Sequence, residues 1–434
     1  MRRQLRTTAA LAALLLAGAA ACDSGGSGGS GQKDQGASAS GTLTVWLQVD
    51  AQSLWPKSVA AATAAFNQKY PKVKVSVQYQ AWADHLTKFD ASAQANKVPD
   101  VIELGNSETA QYVQAGAFVD LTAKKSMFDG SDKWQKGLVD ACTNDGKLFC
   151  VPYYGGTRAV VYRKDLFQAA GIAQPPKTWK ELLADVQKLM DKHKSDKGFS
   201  GFFMPGQHPY GALPFVYDNG GQIATQGSDG KWKSDLASPA AVQGLKNWKA
   251  LIDAGMRGDR TGDDLGAVPA LVAGKAAMSF STNGQLVQVY SADKGDPKLK
   301  GKVGSFPMPS PTKEGSYAPP YMGGSVLAVT AKSKEQTWGE EWIKDFTSTE
   351  REKEFLAGGF LANTLDLTSD DPERAGYFVG LEQSWNVPAA KNWAQVEKDL
   401  TIKQMLADIA TGKMSVEDAT ATYGKKMEDT LNAS

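Results

Sequence analysis

The chain has 434 residues, with 48 Lys and Arg against 47 Asp and Glu, a formal net charge of +1. That balance, with no basic stripe, excludes nucleic acid as a natural partner. Its histidines (His85, His193 and His208) are not clustered with cysteine as a zinc site needs, and no metal or cofactor is expected.

In chain order, a leader comes first. Arg2, Arg3 and Arg6 precede an apolar stretch, Ala9 to Ala21, which is too short to cross a bilayer as a helix and has the flanks of a secretory signal. Ala19-Ala20-Ala21 then meets Cys22. This resembles the bacterial lipobox, in which the cysteine becomes a diacylglycerol-modified N-terminus, with Ala19 standing where leucine is usual. Residues 1–21 are therefore expected to be removed, leaving 45 basic against 47 acidic residues. The implied product is exported and lipid-anchored on the extracellular face of the cell membrane. Residues 22–40, rich in Ser and Gly, read as a flexible tether with a reach of about 20–25 Å.

Thr42 to Leu47 has a short buried-strand pattern, Ser58 to Lys69 reads as a helix, and Val73, Val75, Val77 and Tyr79 alternate as a strand. A helix from about Asp84 to Asn96 leads to Asp100-Val101-Ile102-Glu103-Leu104. Alternating strands and helices imply parallel strands with right-handed crossovers, and ligands sit beyond the carboxyl ends of such strands. That rule points to Gln48 and Asp50 after the first strand and to Asn106, Ser107 and Glu108 after the third.

Cys142 and Cys150 flank Asn144-Asp145-Gly146-Lys147, a hairpin turn signal. A two-residue Asp-Gly loop would set Cys150 opposite Ala141, whereas a three-residue loop sets the cysteines opposite each other; a disulfide is expected. Further on come a strand at Val160 to Tyr162 and a capping box at Thr178 to Glu181 opening a helix to about His193. Helices follow at Pro239 to Ala254 and Leu265 to Ala273, then strands at Ala276 to Phe280 and Gly324 to Ala331. Glu335 to Thr347 reads as a helix, and two long helices, Trp393 to Thr411 and Val416 to Asn432, close the chain.

Several motifs in this order are similar to those of the maltose-binding-protein-like solute-binding proteins of ABC importers. They include Pro99-Asp100-Val101-Ile102-Glu103, Gly116-Ala117-Phe118-Val119-Asp120-Leu121 and Val151-Pro152-Tyr153-Tyr154-Gly155-Gly156-Thr157. Tyr162 to Phe167, Thr178 to Leu182, Ala273 to Met278 and Met322-Gly323-Gly324-Ser325 complete the set. The resemblance implies an α/β, type II periplasmic-binding-protein-like fold: two lobes, a hinge and a ligand cleft. Lobe one would be 41–155 plus 309–365, and lobe two 156–308 plus 366–434. It also implies a monomeric sugar binder, not an enzyme, that delivers a small molecule, an oligosaccharide, to permease subunits in the membrane.

Sugars present apolar C–H faces and hydroxyl edges, so their clefts combine flat rings with polar groups. Trp46, Trp82, Trp385 and Trp393 lie where no helical stripe explains them and are candidate platforms. By resemblance, Trp393 opens the helix where relatives place a stacking ring, and Tyr210 sits at a ligand-contact position. Tyr154 and Gly324 belong to the hinge motifs, and Asn283 occupies a position where relatives often carry an aromatic. Two rivals are a glycosidase, which needs paired carboxylates, and a ferric-iron binder using Tyr153 and Tyr154. A peptide, polyol or polyamine ligand is the alternative within binding proteins.

Overall fold

The computed structural model describes residues 36–433. The leader, Cys22 and residues 22–35 of the tether lie outside the described residues. Of the tether's last residues, Gly36–Ser38 form one 3-10 turn, and Ser40 already opens the first strand.

Lobe one is organised by a six-stranded sheet. Its strand order is Leu361–Ala362, Val151–Gly156, Gly323–Val329, Val101–Gly105, Ser40–Gln48, Lys72–Gln80. Ser40–Gln48 pairs in parallel with both Lys72–Gln80 and Val101–Gly105, as the strand–helix alternation requires. Gly323–Val329 is inserted antiparallel between Val101–Gly105 and Val151–Gly156, although about 170 residues separate it from the latter in the chain. The core beneath this sheet includes Leu43, Val45 and Leu47 from one face of the first strand, and Trp338, Trp342 and Phe346 from the helix Gln336–Phe346.

Lobe two has a smaller antiparallel sheet, Met278–Thr282, Arg158–Arg163, Val303–Phe306. Helices pack around it: Trp179–Lys192, Pro209–Asp218, Pro239–Gly255, Thr401–Thr411 and Val416–Leu431. The Thr178 capping box forms as read, its hydroxyl accepting from the Glu181 N–H and the Glu181 carboxylate from the Thr178 N–H.

Two expectations change. Cys142 and Cys150 are bridged, but through the two-residue loop. Asp145 and Gly146 take φ of 49° and 74°, the type I′ pattern, pairing Asn144 with Lys147 and Thr143 with Leu148. The bridge still closes because Cys142 ends the helix Lys136–Cys142 and Cys150 has left the ladder, which brings their Cα atoms to 5.0 Å. The expected helix from Trp393 to Thr411 is two helices, Trp393–Lys398 and Thr401–Thr411. Leu400 breaks it in the left-handed region (φ 55°), where residues other than glycine are uncommon.

Candidate functional site

Where the lobes meet, the wall of a cavity of about 630 Å³ is assembled from distant pieces of chain. Lobe one and the hinge supply Trp82, Tyr154, Gly155, Gly156, Gly323, Gly324, Ser325, Phe360 and Leu361. Lobe two supplies Arg158, Tyr210, Thr282, Asn283, Gln285 and Gln288. Gly324 is required for close approach: its φ is 144°, and a Cβ there would meet the Tyr154 carbonyl oxygen at 2.2 Å.

Of the residues expected from sequence, Trp82, Tyr154, Tyr210, Asn283 and Gly324 stand on this wall. Trp82 is the exposed ring at the mouth, 37 % accessible, and Asp50 holds it by accepting its indole N–H at 2.6 Å. Glu108 supports the same corner, accepting the Gly105 N–H at 2.8 Å and lying 3.0 Å from His85 Nε2. Asp50 and Glu108 thus act behind the wall.

Tyr210 is committed on several sides. Its ring stacks on Tyr321 at 4.3 Å, the Arg158 guanidinium lies 4.8 Å from its centroid, and its hydroxyl donates to Glu397 at 3.3 Å. Arg158 also reaches Asp264 at 3.3 Å, and Asp264 lies 3.6 Å from His208. Burial pushes the His208 imidazole well below its ordinary range; Asp264 opposes that shift and Arg158 adds to it. The Asn283 amide donates to the Gly359 carbonyl of lobe one, a direct bridge across the cavity rim.

The other expectations are corrected. Trp46 stays within the sheet, its indole N–H bonded to Gln78 on the neighbouring strand at 3.0 Å, and packs on the core of lobe one. Gln48 is buried, its backbone N–H donating to Glu103 Oε2 at 2.8 Å and its amide to the Glu103 carbonyl at 3.3 Å. Asn106 donates to the Met322 carbonyl at 2.7 Å; with Ser107 it lines a separate groove of about 120 Å³ against residues 386–389. Trp385 donates to the Pro319 carbonyl and stacks on Tyr217 at 4.5 Å, inside the core of lobe two. Trp393 is 2 % exposed in that same core and borders a different cavity, of about 250 Å³, shared with Tyr210 and Glu397. Arg158, Ser325 and Phe360 are wall residues that were not named as candidates; the signals on offer were the cation beside Gly155-Gly156-Thr157 and the place of Ser325 in the motif Met322-Gly323-Gly324-Ser325.

Residues 48–353 match the family described as bacterial extracellular solute-binding protein. The diacetylchitobiose binding protein DasA of Streptomyces coelicolor is 30 % identical over 437 residues, covering 98 % of each chain. Among solved structures, the sugar-binding protein MalE of Xanthomonas citri superposes with a TM-score of 0.78 at 19 % identity, covering 90 % of this chain and 97 % of that one. The GacH receptor of Streptomyces glaucescens gives 0.72 at 21 % identity, over 91 % and 99 %.

Proposed function

Because the chain belongs to the bacterial extracellular solute-binding protein family, we propose that it captures a neutral oligosaccharide for an ABC importer, in the cavity between its lobes. The observation that carries this reading is the charge of the wall. Among the described residues Arg158 is the one formally charged side chain lining the cavity, and Asp264 already pairs with it. The rest of the wall is rings (Trp82, Tyr154, Tyr210, Phe360), hydroxyls, amides and glycine backbone. A charged solute would leave its hydration with no opposite charge to receive it, whereas hydroxyls and C–H faces are matched. The diacetylchitobiose named for the 30 % identical relative is a solute of this neutral kind.

The other readings find less support. Burial pushes the Tyr153 and Tyr154 phenols well above their ordinary range, away from the phenolates that ferric iron needs. For a polyamine, the wall offers no free carboxylate. In the same reading Cys22 is the lipidated N-terminus of an exported monomer, and the lobes are 41–155 plus 309–365 and 156–308 plus 366–434. The cores support this division except near its second boundary: one spans Ala39 to Tyr154 and Val326 to Phe355, and the other holds Val160 to Phe306 and Ile402 to Leu431 but also takes in Ala318 and Tyr321.

A thermal-shift screen tests the solute class with diacetylchitobiose, maltotetraose, sn-glycerol 3-phosphate and spermidine. A neutral sugar at 100 times its dissociation constant should add about 2.7 kcal/mol of stability. A response to the phosphate or the amine alone would overturn the reading.

A further inference from the structure

The floor of the cavity on the lobe-one side conceals a carboxyl group. Glu103 lies on Val101–Gly105, 1 % exposed. The ladder places Leu327 opposite it and Ser325 opposite Gly105, so Ser325 is its diagonal neighbour on the same face. Ser325 is also the partner of Tyr154 in the adjoining pair of strands. The Glu103 carboxyl and the Ser325 side chain share this buried face, and the Ser325 hydroxyl donates to the Tyr154 hydroxyl at 3.1 Å. Ser325 and Tyr154 both line the cavity, and Glu103 does not.

We propose that Glu103 is a positioning residue that sets, through Ser325, the direction of the Tyr154 hydroxyl, and with it whether the cavity wall offers a hydrogen-bond acceptor or a donor. With Glu103 ionised, its carboxylate accepts from Ser325, Ser325 accepts from Tyr154, and the phenol oxygen is left to accept from a ligand. With Glu103 protonated, it donates to Ser325, Ser325 donates to Tyr154, and the phenol O–H is free to donate. The switch takes up one proton from solvent water and needs no other reactant. A ligand presenting an acceptor there is favoured in acid, and one presenting a donor in alkali.

The surroundings place the switch near neutrality. Burial raises the Glu103 carboxyl, the Gln48 N–H and Ser325 lower it, Asp50 raises it and His85 lowers it, leaving it at about 7. These are the charged and titratable groups around it: Asp50 after the first strand, His85 with its partner Glu108, and Tyr153 and Tyr154 on the neighbouring strand. Both phenols stay protonated throughout this range, because burial holds them well above it. Gln48 Oε1 is a competing acceptor for the Glu103 proton, since its own amide N–H is spent on the Glu103 carbonyl.

The inference rests on the cavity being the binding site proposed above, but its test needs no ligand, so the two fail separately. The mature protein is labelled with 13Cζ-tyrosine, the Tyr154 signal is assigned with Tyr154→Phe, and spectra are followed from pH 5 to pH 9. In the wild type the Tyr154 signal should titrate with a midpoint near 7, and that titration should be lost in Ser325→Ala and in Glu103→Gln. If Glu103→Gln does not fold, Ser325→Ala decides alone. A Tyr154 signal that is flat in the wild type, or that still titrates in Ser325→Ala, overturns the relay.

Discussion

On the lobe-two side of the cavity, Arg158 and His208 share Asp264, and at the far end of the strand that carries Arg158, Arg163 is gripped by both oxygens of Asp165 and by the Leu271 carbonyl. In lobe one, Glu103 and Glu352 are each 1 % exposed and form no ion pair among the described residues. Glu352 has only the Asn363 N–H against the burial that raises its carboxyl well above the ordinary range. Buried charge is compensated on one side of the site and neutralised by protonation on the other. A buried paired charge loses its partner only at high cost, whereas a buried carboxyl follows pH. The Arg158–Asp264 pair on the lobe-two side is therefore fixed, and the Glu103 carboxyl on the lobe-one side adjustable.

The largest expected effect falls on the fixed side. Trp393→Ala removes a ring from the core of lobe two and should cost about 3–5 kcal/mol in urea unfolding, and the loss should be the same at pH 6 and pH 8. A variant that unfolds like the wild type and only binds sugar more weakly would return Trp393 to the cavity wall.

Next in size is the adjustable side. The folded state holds the Glu103 proton up to about 7, against 4.5 for an unperturbed glutamate. The unfolded chain therefore releases that proton first as pH rises. The associated stability is fully present below 4.5 and is lost as pH climbs to 7, by on the order of 3 kcal/mol. Glu103→Gln cannot ionise, so its unfolding free energy should exceed that of the wild type at pH 8 by up to this amount and should lack this slope. Equal pH slopes for the two proteins would mean that Glu103 carries its charge at no cost.

The smallest of the three is the bridge in lobe one. Replacing Cys142 and Cys150 by alanine opens a short loop and should lower stability by about 2.5 kcal/mol. Thiol titration of denatured, unreduced protein should find neither group free before the change.

The sequence was most informative where structure is local. The capping box at Thr178, the presence of a turn at Asp145-Gly146 and the strands from Ser40 to Gly105 are set by neighbours a few residues apart, and these were legible, whereas the length of that turn was not. The carboxyl-end rule found Asp50 and Glu108 but assigned them to the ligand, whereas they brace Trp82 and Gly105 behind the wall. The wall itself was mostly hidden. Phe360 and Arg158 meet on it only because the chain passes more than once between the lobes, and no local pattern records those crossings. Trp393 was misplaced for a related reason. An unbroken helix would have carried it differently from the short Trp393–Lys398 helix, and Leu400 turns left-handed with no glycine to announce it.

The inserted strand Gly323–Val329 bears on how the chain comes into being. A polypeptide emerging N-terminus first presents Val101–Gly105 and Val151–Gly156 long before the strand that must lie between them exists. Until then both flanking edges stay unpaired, which invites wrong pairing. The sheet of lobe two, by contrast, is complete once Phe306 has appeared. The lobe-two sheet can thus be paired before that of lobe one, although the helices that pack on it, Thr401–Thr411 and Val416–Leu431, come last. The same order is expected when the whole chain refolds, because pairing Gly323–Val329 with Val101–Gly105 closes a longer loop than any in the lobe-two sheet: pulsed hydrogen exchange should show protection of Arg158–Arg163 and Met278–Thr282 preceding that of Val101–Gly105.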